Sequence, residues 1–161
     1  MIRTPLRVAV VESTVVIIDQ GIVMTKELLA KLKSAAREIF AGRAEVVAAY
    51  LYDSSPVTKD YEDIDIGFLL DRRFRPPAMY EVVMAREFEK RLPEEFDVRI
   101  LNGRPVRFLF QVIKNGELLF CSNEDERVIL DVRVMKEYFD MRPYFELYDR
   151  MRRERYVARD H

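Results

Sequence analysis

Two hydrophobic periods alternate along this chain, one of two residues and one near 3.6. Residues 6–18, LRVAVVESTVVII, are crowded with Val and Ile and read as one or two strands. Asp19-Gln20-Gly21 signals a turn, and Ile22-Val23-Met24 continues as the returning arm of a hairpin. Thr25 then stands as a helix cap with Glu27 in the first turn, and Leu28, Leu29, Leu32, Ala35, Ala36 and Ile39 recur at helical spacing as far as Gly42. Residues 45–52, EVVAAYLY, hardly alternate, as expected of a strand covered on both faces. Residues 63–70, DIDIGFLL, predict a second strand with Asp63 and Asp65 on one face and Ile64 and Ile66 on the other.

The second half continues the alternation. Pro76-Pro77 permits a helix start, and residues 78–91 predict an amphipathic helix with Met79, Val82, Val83, Arg86 and Leu92 along its inner stripe. Phe96, Val98 and Ile100 alternate with Asp97 and Arg99 as in a half-buried strand. A helix over 105–114 is stopped by Asn115-Gly116, and Glu117–Cys121 is a short strand. Two charged amphipathic helices follow, over 124–140 and 143–157, broken at Arg142-Pro143. The expected fold is α+β: a small mixed β-sheet flanked by helices, with added N-terminal strands and C-terminal helices. Residues 1–24 form a hairpin extension, 25–122 the core, and 123–161 a helical part of the same domain. The hairpin is either an extra edge of the sheet or a surface for self-association, which makes a homo-oligomer the expectation.

Composition narrows the chemistry. At 161 residues the chain suits one domain with a substantial core, and 49% hydrophobic with 34% charged residues is the balance of a globular protein. The formal charge of -1 gives no extended nucleic-acid surface. Arg150, Arg152, Arg153 and Arg155 cluster near the end, as on a solvated helix face. The single cysteine, Cys121, and the single histidine, His161, leave no pairing for an internal disulfide, no Cys–His zinc site and no base for a Ser-His-Asp mechanism. No apolar run reaches membrane-spanning length and no signal-type segment opens the chain, so a cytoplasmic location is expected. Three Asn and two Gln beside abundant Glu, Lys and Arg resemble a thermophile's composition.

Against that background three acids stand out. Asp63 and Asp65 share a strand face, and Asp97 lies on the polar face of a later strand that a helix can return to the same sheet. If the strands are neighbours, the carboxylates converge. Oxygen ligands of this kind suit one or two magnesium ions, which would bridge the oxygens of a nucleoside triphosphate and need no histidine. Ser54 and Ser55, at the end of the buried strand, are candidate phosphate donors, and Lys59 is a candidate phosphate contact. The plain alternatives are solvated acids, an ordinary Ser-Ser-Pro turn and a surface lysine.

Residues 49–70 resemble the signature of the polymerase β-type nucleotidyltransferase superfamily, and within it the minimal nucleotidyltransferase (MNT) group. Glu62-Asp63-Ile64-Asp65-Ile66 stands where that group has Ser-Asp-Ile-Asp-Leu, and Asp97-Val98-Arg99-Ile100-Leu101-Asn102 where it has its third acid. Asn115 to Phe120 and Glu137 to Pro143 are similar to the tail of MntA-type antitoxins, which pair with HEPN toxins. The resemblance spans about residues 26–157. It implies a polymerase β-like fold, Asp63, Asp65 and Asp97 as catalytic metal ligands, ATP as substrate, and a HEPN toxin as partner and acceptor. The chain departs from the group at Asp53-Ser54, where the group has Gly-Ser, and its loop is shorter. An aspartate there adds a side chain and a negative charge where backbone should approach phosphate. Two functions follow: transfer of a nucleoside monophosphate, AMP from ATP, to a protein or small-molecule acceptor; or a degenerate member that only binds a partner or a nucleotide. A purely structural subunit would leave the three acids without a purpose.

Overall fold

A computed structural model of the chain describes residues 10–11, 14–15, 26–52 and 63–159. The expected hairpin arm at 22–24, the cap at Thr25 and His161 lie outside the described residues. The elements, in order, are β1 (Val10–Val11), β2 (Thr14–Val15), α1 (Lys26–Phe40), β3 (Val46–Tyr52), β4 (Asp63–Leu70), α2 (Tyr80–Glu89), β5 (Glu95–Ile100), α3 (Val106–Asn115), β6 (Glu117–Cys121) and α4 (Glu124–Arg159).

Four strands form a mixed sheet in the order β5-β4-β3-β6, and β1 and β2 make a separate antiparallel ladder. β3 runs antiparallel to both its neighbours, whereas β4 and β5 are parallel. A parallel pair needs a crossover, and α2 supplies it. Every residue of β3 is buried, the burial expected of an inner strand whose two faces are both covered. On one face lie α1 and α2, with Leu32, Ala36, Phe40, Met84 and Phe88 packed on Val46, Leu51, Ile66 and Phe68. On the other lie α3 and α4, with Val112, Phe108 and Leu130 against Ala48, Tyr50, Tyr52 and Leu101. An irregularity in the β3–β4 ladder between Val46 and Ala48 puts Val47 and Ala48 in the same cluster.

Two expectations are corrected. In α2 the buried stripe is Tyr80, Met84 and Phe88, while Met79, Val82 and Val83 are exposed. Two aromatics, each four residues from Met84, bury more area than the valines, and they set the helix rotation. Tyr80 donates to Glu45 Oε1 at 2.9 Å, and Phe88 stacks on Phe96 with ring centroids 5.2 Å apart. Met79 precedes the helix in a left-handed conformation, φ 67°.

The second correction is α4, which runs unbroken through Pro143 for 36 residues. Proline removes one N–H and frees the carbonyl four residues back. Phe139 and Pro143 are both exposed, where water can take that carbonyl. α3 holds the helix before and after the proline: Phe110 stacks on Tyr138 at 3.7 Å, and Arg107 reaches Asp149 at 2.5 Å and the Phe145 ring at 5.3 Å. The C-terminal arginines sit on the exposed far end of this helix.

Gly116, between α3 and β6, has a steric reason. A Cβ there would lie 2.3 Å from the Val112 carbonyl oxygen and 2.9 Å from that of Leu51.

Candidate active site

The first residues of β4 carry Asp63 and Asp65, and their alternation with Ile64 and Ile66 is as the sequence implies. Ile64 and Ile66 enter the core against α1 and α2. The two aspartates therefore belong to the face shared with α3. The β4–β5 register pairs Asp65 with Asp97 and Asp63 with Glu95, and the β3–β4 register pairs Asp65 with Tyr52. In a parallel ladder, residues paired this way point to the same side. Asp97 is thus the lateral neighbour of Asp65.

Asn102 secures this register. Its Oδ1 accepts from the Leu70 N–H at 2.8 Å, and its Nδ2 donates to the Leu70 carbonyl at 2.8 Å. The Leu101 N–H donates to the Phe68 carbonyl at 2.9 Å. A slip of one residue in β5 would turn Asp97 to the opposite face.

Two residues that sequence reasoning did not place at the site stand beside the acids. Arg99, on the same face of β5, donates through Nε and Nη2 to one oxygen of Asp97, at 3.2 and 3.0 Å. Its spacing of two from Asp97 in a strand was the available signal. Tyr52, at the end of β3, is 6% exposed, and its hydroxyl is buried without a hydrogen-bond partner among the described residues. Burial, and then the charge of Asp65, push its pKa up to about 12. The Tyr52 ring meets Phe108 edge-on at 5.5 Å and passes over Gly67. A Cβ on Gly67 would stand 2.6 Å from Leu101 Cδ2 and 3.2 Å from Tyr52 Cε1, so the missing side chain is what lets the ring lie across β4 toward the acids. No sequence signal short of the strand pairing would have found Tyr52.

Three carboxylates in this register are the hard oxygen donors that magnesium takes, so the residues fit the metal in kind. They are not gathered: among the described residues no group of three or more acid, His or Cys ligands stands close enough to hold a metal ion. Ser54, Ser55 and Lys59, with Asp53, lie outside the described residues. A second polar cluster ties α4 to β3 on the same side of the sheet. Tyr50 donates to Asp131 at 3.4 Å, and Arg127 pairs with Asp131 at 2.7 Å and with Glu124. No helix is long and apolar enough to cross a membrane among the described residues.

Comparison with known proteins bears on the fold. No curated protein matches the sequence. Among solved structures, a chain from the complex of a tri-AMPylated HEPN toxin with an MNT antitoxin of Shewanella oneidensis is 16% identical. It superposes with a TM-score of 0.58, over 76% of this chain and 96% of that one. A chain from the toxin–antitoxin MntA–HepT is 15% identical with a TM-score of 0.57, over 76% and 97%. A chain from a toxin–antitoxin with AMP-PNP is 15% identical with a TM-score of 0.58, over 74% and 97%. At these identities the likeness is one of fold. The sequence model of the family "Polymerase beta, Nucleotidyltransferase" matches residues 35–125, more than half of the chain, from within α1 to the first turn of α4. The acid-bearing strands lie wholly inside that span, and the chain belongs to the polymerase beta nucleotidyltransferase family.

Proposed function

We propose that this protein is a metal-dependent nucleotidyltransferase that moves AMP from ATP to an acceptor hydroxyl, and that the acceptor is a tyrosine of a HEPN-type toxin for which it serves as antitoxin. The observation that carries the reading is the pairing of Asp97 with Asp65, two residues from Asp63. Asp63, Asp65 and Asp97 would hold magnesium, which when bound offsets the charge of the triphosphate and of the transition state. Ser54, Ser55 and Lys59 would contact the phosphates. In the reaction the acceptor oxygen attacks the α-phosphorus, the bond to the β-phosphate oxygen breaks and pyrophosphate leaves. Asp97 would receive the proton given up by the acceptor. The solved complexes of similar fold support the acceptor class, since one contains an AMPylated HEPN toxin. The apolar residues exposed on α4, among them Ile129, Val132, Phe139 and Tyr144, offer surface for such a partner or for a second copy of the chain. A cytoplasmic location suits that role.

The test is transfer of label from α-labelled ATP, with magnesium, to a co-expressed HEPN-type protein. Asp63→Asn and Asp65→Asn should each lower transfer by about a hundredfold or more, the scale of losing one electrostatic stabiliser of a transition state. Absence of transfer from the native protein, or transfer that survives both substitutions, would sink the reading.

A second reading has its own support. Asp97 is engaged by Arg99, and Asp53 stands where the phosphate-loop motif calls for glycine. Both features suit a member that binds its partner or a nucleotide without turning it over. Calorimetry with ATP and magnesium separates the two, since tight binding without labelled product favours the binder.

A further inference from the structure

We propose that Arg99 is a built-in counter-cation of the acid site, and that it competes with a divalent metal ion for Asp97. The inference rests on the reading of Asp63, Asp65 and Asp97 as metal ligands, and it identifies the residue that sets how that metal binds. Two guanidinium nitrogens converge on a single oxygen of Asp97, so the contact is a directed clasp rather than a passing approach. The register places Arg99 opposite Gly67 on β4, a partner that carries no side chain of its own. Among the described residues the lateral partner of Asp63 on β5 is Glu95, another acid.

Charge explains why a cation is needed there. Asp63, Asp65 and Asp97 add three negative charges to one end of the sheet, with Glu95 in the adjacent row. Carboxylates crowded on one face raise one another's energy unless a positive charge lies among them. Arg99 supplies that charge from within the chain. In the structure the third carboxylate is clasped by Arg99.

The clasp is built to open. Both side chains are substantially exposed, at 47% for Arg99 and 38% for Asp97, and exposed pairs of this kind are weak and salt-sensitive. A divalent ion concentrates more charge on the carboxylate than a guanidinium does, and once it takes Asp97 the arginine is set free beside the site. The buried Tyr52 hydroxyl, without a hydrogen-bond partner among the described residues, belongs to the β3 residue paired with Asp65.

Manganese titration of the full-length protein, followed by calorimetry and by the electron paramagnetic resonance of the free ion, tests this without reference to activity. Arg99→Gln removes the charge at an exposed position, and circular dichroism confirms that each variant is folded. The expected result is manganese affinity about tenfold or more above the native protein, the range seen when groups adjoining metal ligands are altered. That gain should vanish in the double variant Arg99→Gln/Asp97→Asn, and Arg99→Lys should fall between. If the native protein binds manganese through Asp63 and Asp65 and Arg99→Gln binds it equally well, the competition is overturned while the metal reading stands. If Arg99→Gln tightens binding and the gain persists without Asp97, the competition is also overturned. If neither protein binds manganese, the metal reading falls and takes this proposal with it.

Discussion

Asn102 satisfies both backbone groups of Leu70, accepting from its N–H and donating to its carbonyl, each at 2.8 Å. One side chain thereby takes the place of the next rung beyond the β4–β5 ladder and fixes the position of the strand carrying Asp97.

Asn102→Ala should therefore act on stability and on the site together. Leu70 is 3% exposed, so two of its polar groups would lose their partners in a nearly dry place. The expected loss is about 1–3 kcal/mol, the usual cost of a buried polar group left unpaired. Urea denaturation measures it. Transfer activity should fall further than Asp-free positions elsewhere on the sheet would cause, because the register that aligns Asp97 with Asp65 has lost its stop.

Gly67→Ala should destabilise the fold by about 1–3 kcal/mol through overpacking. The added Cβ would meet Leu101 at 2.6 Å and the Tyr52 ring at 3.2 Å. Leu101→Ala alone should cost about 2–5 kcal/mol by leaving a cavity. The double variant should cost less than the sum, since each change relieves the other, and a thermal-melt cycle of the four proteins reads the coupling.

Tyr50, Tyr52 and Tyr80 are each held at a pKa of about 12, chiefly by burial. An unfolded tyrosine ionises near 10. Above that pH the unfolded chain has given up protons that the folded chain keeps, so stability is intact below about 10 and is lost as pH rises toward 12. Tyr52→Phe should flatten this alkaline limb and, because its hydroxyl has no partner among the described residues, leave neutral-pH stability unchanged or slightly raised. Denaturation midpoints from pH 8 to 12 test both points.

Pro143→Ala should stabilise α4. The substitution restores an N–H to the helix interior and removes the clash with the preceding turn, an effect of up to about 3 kcal/mol in an ordinary helix. A higher melting temperature and more helical ellipticity are expected.

The sequence carried β4 and β5 well because their patterns are period-two and local. Asp63-Ile64-Asp65-Ile66 declares its two faces without help from anything distant. The lateral pairing of Asp97 with Asp65 was legible as a possibility of topology, since a strand-helix-strand unit returns parallel. The stripe of α2 was misread because Met79, Val82 and Val83 mimic helical spacing, while the choice was made by aromatic partners on α1 and β5 that local spacing does not report. Pro143 reads as a break in any sequence. What carries the helix through it is Phe110, Tyr138, Phe145 and the Arg107–Asp149 pair, all tertiary. Arg99 shares the face of Asp97 by its spacing, yet its clasp on that carboxylate is a side-chain contact that spacing alone does not report.

β5 is an edge strand among the described residues, paired only with β4. Two of the three acids thus belong to the interior of the sheet and the third to its rim. Rims open first when a protein breathes, well below the free energy of global unfolding. The amide protons of Asp97 and Val98 should consequently exchange with solvent sooner than those of Ile64 and Ile66, and their protection would rise with anything that draws the acids together. Backbone exchange along this one strand is thus a gauge of whether the site is assembled.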